Sequence, residues 1–303
     1  MPDLGSNGQT GQDKSLELPG AQFRRRTCRL LTMCHVDADS ERLWAHSGDN
    51  RKSRPFQRLS PEFEGQRNPQ PVEWKELPIA KDAEGRPEIH YTRVYGAFRR
   101  WQAGGCFDII FTVAVLRLHQ SSLLDVTIIH GDGTTTAAKK GGDNIGFNGH
   151  KKIKGDKVVA FCDRNCNVIA PFVAAPGNHS ESPLLRAALP NVMRIARSVG
   201  LELRGTIVSL DGAYDCRQNR KAIFNRGMLP NINANPRGRK SAKRGRKPLF
   251  NADIFKARFD TIERVFGWED KFRRLLLRFE RLSQLHYAFK TLAYTMINLR
   301  HFC

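Results

Sequence analysis

The periodicity of apolar residues changes several times along this 303-residue chain. Residues 1–60 are rich in Gly, Ser, Asp, Arg and Gln with little periodicity, and read as a disordered or loosely held leader. From 61 to 120 the pattern becomes helical. The stretch "TRVYGAFRRWQAGGCFDIIFTVAVLRLH" sets Val94, Phe98 and Trp101 at helical spacing, then Gly104 and Gly105, then a second apolar helix. Two helices joined by a glycine turn suggest a small helix-turn-helix-like domain presenting Arg99 and Arg100 to a nucleic acid. An ordinary helical pair with both arginines in water fits the same pattern.

From 121 to 303 strands and helices alternate. The runs "LLDVTIIHGD" and "DKVVAFCDRNCNVIAPFVAAPG", the second folded about Asp163, Arg164 and Asn165, imply a three-stranded antiparallel start. "SPLLRAALPNVMRIARSVG" predicts a helix with Ser182 as N-cap, Pro183 at its first position, a kink at Pro190 and a stop at Gly200. "GTIVSLDGAYD" returns to a buried strand ending in Asp211, followed by a short helix to Gly227, a basic loop at 236–248 and a long helical region from about 251 onward. In that region Phe259, Ile262 and Phe266 form an apolar stripe, and the spacing places Glu263 within it. The order β, β, β, α, β, α belongs to the α/β class.

Charge adds a partner to this outline. Fifty Lys and Arg against 30 Asp and Glu give a net charge of +20, which calls for a polyanion. An anionic membrane is the other such surface, but no stretch reaches the roughly 18 consecutive apolar residues of a spanning helix. The first twenty residues are polar throughout, so no secretory segment is expected and the cytoplasm is the expected compartment. Seven scattered cysteines read as reduced thiols. Cys162 and Cys166 lack the further ligands of a zinc site and read as small apolar side chains flanking a hairpin.

The segment "IIHGDGTTTAAKKGGDN" at 128–144 raises a chemical question, because it puts Asp132 at the end of an apolar strand with Lys139 and Lys140 behind it. It lacks the GxxxxGK[ST] spacing of a phosphate-binding loop. Asp132 and Asp211 at strand ends and Glu263 on a helix can converge. Taken singly, each has a structural account: a strand-end cap for Asp132, a turn and helix start for Asp211 with Asp215, an ion pair for Glu263. Taken together in a basic chain, they fit two divalent ions holding the attacking and leaving oxygens of a phosphodiester displacement.

"SLDGAYD" at 209–215 and "RFDTIERVFGWEDKFRRLLLRFERL" at 258–282 resemble the DDE transposases of bacterial insertion sequences, closest to the group named for insertion sequence five, over about residues 90 to 303. The resemblance implies an RNase H-like catalytic domain at 121–303 with Asp132, Asp211 and Glu263 as catalytic, metal-holding acids. It implies two Mg²⁺ ions, with Mn²⁺ as a substitute. It also implies double-stranded DNA as partner, both terminal inverted repeats and target, handled by a homodimer or larger assembly. The family tends to carry Tyr, Arg and Lys around the glutamate. The counterparts here are Phe255, Arg258 and Lys271, with the Arg-to-Glu and Glu-to-Lys intervals each one residue longer; on an unbroken helix the family positions would fall on Phe259 and Asp270. The alternative is a catalytically inactive, sequence-specific DNA-binding protein derived from such a transposase.

The loop "PRGRKSAKRGRKP" carries Arg237, Arg239, Lys240, Lys243, Arg244, Arg246 and Lys247 as candidate phosphate contacts. Replacing Lys243, Arg244, Arg246 and Lys247 with Ala is expected to weaken binding to all duplexes and to flatten the slope of log affinity against log salt by roughly 2 to 4 units. An unchanged slope, measured by fluorescence anisotropy across a salt series, would place the loop away from DNA.

Overall fold

The computed structural model describes residues 74–170, 172–235 and 248–302. The leader at 1–60 and the seven cations of the basic loop lie outside the described residues.

The helical pair forms as its spacing predicts. Helix α1 spans Tyr91–Ala103 and α2 spans Cys106–Gln120. Gly105 separates them at φ 69°, a left-handed conformation that glycine adopts without Cβ strain. Phe98 is buried, but Trp101, expected on the same stripe, is 43% exposed. Arg99 and Arg100 face solvent.

Seven strands build one mixed sheet: β1 (Ile128–Ala138), β2 (Gly146–Asn148), β3 (Ile153–Cys162), β4 (Val173–Pro176), β5 (Ile207–Leu210), β6 (Leu229–Ile232) and β7 (Leu277–Arg278). β1 and β4 flank β3 in antiparallel pairing, giving the expected antiparallel start, and β1, β5 and β6 run parallel. Short β2 shares the outer edge of β3 with β4, and β7 joins the far end of β1. Three antiparallel strands followed by two parallel ones, with helices on both faces, is the RNase H-like layout. β3 is buried along almost its whole length, which is why "VVAFC" is continuously apolar rather than alternating.

Each face has its own core. On one, Ile129, Val159, Phe161, Val208, Leu210 and Ile232 pack against α3 (Glu181–Val199) and α4 (Arg217–Phe224). Helix α3 buries Leu184, Leu185, Ala188, Leu189 and Val192 at helical spacing and stops at Gly200, as predicted; its N-cap is Ser180, two residues earlier than expected. On the other face, Ala160 and Cys162 meet α2, α6 (Ile262–Glu269) and α8 (Ser283–Leu299). Helices α1 and α2 share this second core: Phe98 stacks on Phe289 of α8 with ring centroids 4.4 Å apart. No single described helix is long and apolar enough to cross a membrane; α1 and α2 are apolar enough only together, bend by 66° at their junction, and bury Phe98, Phe107 and Phe111 here.

The long C-terminal helix expected from about 251 is instead several pieces. α5 (Ala252–Ala257) passes into a 3₁₀ turn at Arg258–Asp260, Thr261 leaves helical geometry at φ −121° and ψ −86°, and α6 begins anew. Then come α7 (Arg273–Leu276), β7 and α8. The break at Thr261 shifts the helical phase, so the stripe of Phe259, Ile262 and Phe266 does not exist as one face. Phe259 is 58% exposed, and the buried row is Ile262, Val265, Phe266 and Glu269. Glu263, expected inside the stripe, has a side chain 46% exposed.

The buried acid of α6 is therefore Glu269. Lys290 of α8 pairs with its carboxylate, and Tyr294 donates a hydrogen bond to it at 2.6 Å. Breaking a buried pair from one side leaves an uncompensated charge, so Lys290→Met is expected to cost about 3–5 kcal/mol, read as a lowered urea midpoint. Lys290→Met combined with Glu269→Leu should recover much of that loss. An unchanged midpoint for the single variant would remove the pair from the stabilising contacts.

Candidate functional site

The parallel register of β1 and β5 sets the first two acids side by side. His130 lies opposite Ser209, an offset of 79 residues, and Asp132 and Asp211 have the same offset. They stand one step past the last paired residues, on the face that Ala160 and Cys162 share. Asp132 was expected at a strand end; β1 runs on to Ala138, still paired with β3, so Asp132 ends only the pairing with β5.

A polar row lies beneath the acids on the same face. His130, Ser209 and Asn231 occupy neighbouring strands, and Asn231 Nδ2 is 3.5 Å from Ser209 Oγ. Asn231 also accepts from the backbone N–H of Asn251 at 2.7 Å and donates to its carbonyl at 3.1 Å. Asn251 in turn caps α5, accepting from Asp253 and Ile254 N–H. The row thereby fixes the start of α5 against the sheet and delivers the next turn to the acids. Asp211 caps its own 3₁₀ turn, Gly212–Tyr214, by accepting from Ala213 N–H at 2.9 Å.

Arg258 brings the elements together. Its side chain, 6% exposed, pairs with the Asp132 carboxylate and lies 3.9 Å from Glu263 Oε1. The rings of Phe255 and Phe259 lie 5.6 and 5.5 Å from its guanidinium carbon. Phe255 occupies the position where the family carries Tyr. The longer Arg-to-Glu interval is accommodated because the 3₁₀ turn and the break at Thr261 replace continuous helix: Arg258, five residues before Glu263, points at the acids, whereas Phe259 at four residues points outward.

The electrostatics are those of one crowded anionic group. Burial pushes the Asp132 carboxyl up to about 7; Arg258 and the Gly133 N–H oppose the rise, and the charges of Asp211 and Glu263 add to it. Burial also raises Asp211, with Arg258 opposing and Glu181 adding. His130 is pushed down to about 4 by burial and by the Arg258 and Arg164 charges, so it stays neutral near pH 7. Three hard carboxylates held with one guanidinium have the donor chemistry for divalent cations. Among the described residues no three His, Cys, Asp or Glu side chains stand in metal-ligating geometry; Arg258 is the cation paired with Asp132.

Glu181, at the first position of α3, is a site neighbour that the sequence did not single out. It pairs with Lys157 Nζ at 3.0 Å and accepts from the Tyr214 hydroxyl at 3.4 Å. It lies directly on Gly133, where a Cβ would fall 2.7 Å from its carboxyl carbon. It thus touches β1 next to Asp132 and the turn next to Asp211. An acid in the first turn of a helix is commonplace, so the sequence held no signal for it.

The remaining candidates lie elsewhere. Asp215 is occupied with structure, pairing with Arg220 at 2.9 Å and accepting from Asn235 N–H at 3.0 Å. Lys139 and Lys140 are exposed beyond the far end of β1, and Lys271 is exposed after α6, so none of these lysines joins the acids. Cys162 and Cys166 are buried free thiols at the β3 hairpin.

A family model described as a transposase DDE domain matches residues 117–299. A putative transposase for insertion sequence element IS402 from Burkholderia cepacia is 34% identical over 94 residues, covering 31% of this chain and 39% of that protein, so the match spans about two fifths of the relative's length. Among solved structures, the catalytic domain of Mos1 mariner transposase aligns at 12% identity over 64% of this chain and 90% of its own, with a TM-score of 0.28. The Mos1 transposase paired-end complex with left transposon end aligns at 14% identity over 92% of this chain and 85% of its own, also at 0.28. Superpositions this loose add nothing to the topology described above.

The contact between Gly133 and Glu181 yields a test of the site's packing. Gly133→Ala must displace a carboxylate held by Lys157 and Tyr214, and is expected to cost about 1–3 kcal/mol in a thermal or urea melt. Adding Glu181→Ala should make the glycine change nearly neutral. A full penalty in both backgrounds would locate the strain elsewhere.

Proposed function

The chain belongs to the transposase DDE domain family, and we propose that it acts as the transposase of an insertion sequence, cutting and joining DNA phosphodiesters at the element ends. The single observation that carries this reading is the convergence on Arg258 of Asp132, level with Asp211 on the neighbouring strand, and Glu263. This intact trio also favours an active enzyme over an inactive DNA-binding derivative.

Asp132, Asp211 and Glu263 would hold divalent cations of the magnesium class, two ions with Mn²⁺ as substitute. When bound, such ions supply charge stabilisation to the attacking and leaving oxygens of an in-line displacement. The half-buried setting of Asp132 and Asp211 strengthens their pull on cations and keeps bulk water from the reacting phosphate. Arg258, already beside Asp132 and Glu263, has donors placed to accept a phosphate oxygen as partner in exchange for a carboxylate. The first displacement uses water and releases a 3′ hydroxyl; the second uses that hydroxyl against target DNA at the same acids. Terminal inverted repeats and target are then the double-stranded DNA partners. Joining two ends calls for a dimer or larger assembly. Exposed cations away from the acids, Arg99, Arg100, Lys139, Lys140 and the loop at 236–248, supply phosphate contacts that position the duplex.

Asp132→Asn, Asp211→Asn and Glu263→Gln are each expected to abolish cleavage of a labelled element-end duplex in Mg²⁺ while leaving its affinity within a fewfold of wild type. Asp215→Ala should lower the melting temperature yet retain cleavage, separating the two aspartates of "SLDGAYD". Mn²⁺ should substitute and a chelator should stop the reaction. Wild-type cutting by any of the three acid variants would strike that acid from the site.

A further inference from the structure

A cavity of about 440 Å³ opens between the 3₁₀ turn Trp74–Glu76, α1, the segment just beyond β1, and the segment joining β7 to α8. That volume falls within the range of sites for small organic ligands. It is separate from the acids: from Asp132 to Ala138 alone, β1 extends for six residues at about 3.3 Å each, roughly 20 Å, and Lys140 lies beyond.

Two chemistries line it. Trp74, Tyr91 and Tyr95 present aromatic surface, and Lys75, Lys140 and Arg281 present cations. The aromatic wall is braced, since Trp74 packs edge-on to Tyr95 and Phe98 with centroids 5.0 and 5.4 Å away, and Arg274 lies 5.0 Å over its ring. The acid in the lining, Glu280, is paired with Arg274 at 2.5 Å, so the cavity stays cationic overall. Among the described residues, the Tyr91 and Tyr95 hydroxyls and the exposed Arg281 guanidinium have no hydrogen-bond or ion-pair partner.

We infer that this cavity seats one nucleotide of the bound DNA strand, its phosphate between Lys140 and Arg281 and its sugar or base against Tyr91 and Tyr95. The inference rests on the reading of the chain as a DNA-cutting transposase. Cations alone would suit any anion; the braced rings select one carrying an apolar, π-rich body, and of polyanions nucleic acid has that composition. At 3.4 Å per nucleotide, a separation of roughly 20 Å along β1 places the seat about six nucleotides from the phosphate at the acids.

The test uses the full chain and a fluorescent duplex carrying the element end, with anisotropy read across a salt series. Lys140→Ala with Arg281→Ala should weaken binding roughly 10- to 100-fold and lower the salt slope by about 2 units, 0.9 for each lost phosphate contact. Tyr91→Ala should weaken binding roughly 5- to 100-fold with little change in slope. Ethylation interference should show, for wild type alone, a phosphate about six nucleotides from the cut. Arg281→Glu, at an exposed position, provides a second variant if the double change lowers the melting temperature. Unchanged affinity and slope in folded variants, while wild type binds and cuts, would overturn the seat and leave the transposase reading standing. Loss of self-association with DNA affinity intact would overturn it in favour of a protein contact. A wild-type chain that neither binds nor cuts the duplex would overturn both.

Discussion

The pairing of Arg258 with Asp132 joins residues 126 positions apart and holds the site together. A buried carboxylate without a partner would take up a proton or pull the strand towards water; a buried guanidinium without one would be costlier still, because it cannot lose its charge. Each makes the other's burial tolerable. The 3₁₀ turn that carries Arg258, the break at Thr261 and the restart of α6 follow from meeting that demand. The polar row of His130, Ser209 and Asn231 and the Asn251 cap hold the turn at the required height.

Charge compensation recurs through the second core. Glu269 and Lys290 close α6 against α8, and Arg274 pairs with Glu280 beside the cavity. His286, fully buried between Asp156 and Glu280 at 3.9 Å from each, is held well below its ordinary range by burial and by Lys290, Arg278 and Arg274. Internal acids are thus matched by cations within a chain of net charge +20, and much of the excess positive charge faces outward. The acid cluster is where the balance tips the other way, with three carboxylates around one guanidinium. Such a local excess attracts cations, while the surrounding surface attracts polyanions.

Helices α1 and α2 add to this picture by position. Their apolar faces complete the core around α8, so the sheet with its acids and the aromatic wall of the cavity rest on one packed body. Tyr91 and Tyr95 at the cavity and Asp132 at the acids are tied through Phe98, Phe289 and the sheet rather than through a loop. Rigid connection of this kind suits an enzyme that must present a phosphodiester to fixed carboxylates, because a misplacement of about 1 Å can cost a hundredfold in rate.

Sequence by itself determined the alternation of strands and helices, because apolar periodicity and the stop at Gly200 are local properties. It also determined the 79-residue interval of Asp132 and Asp211, which is the strand register written along the chain. The two short motifs marked the family for the same reason: "SLDGAYD" and the segment around Glu263 keep their residue types whatever the surroundings. Tertiary structure alone decided the rest. Periodicity assumes an unbroken helix, so it placed Glu263 inside an apolar stripe that the turn at Thr261 dissolves, and it left Arg258 at a spacing that only the turn makes productive. Glu181 reaches the site because Gly133 has no side chain and because Lys157 and Tyr214 come from distant elements. Contacts between residues so far apart depend on how the layers close over one another, and local sequence carries no record of that closure.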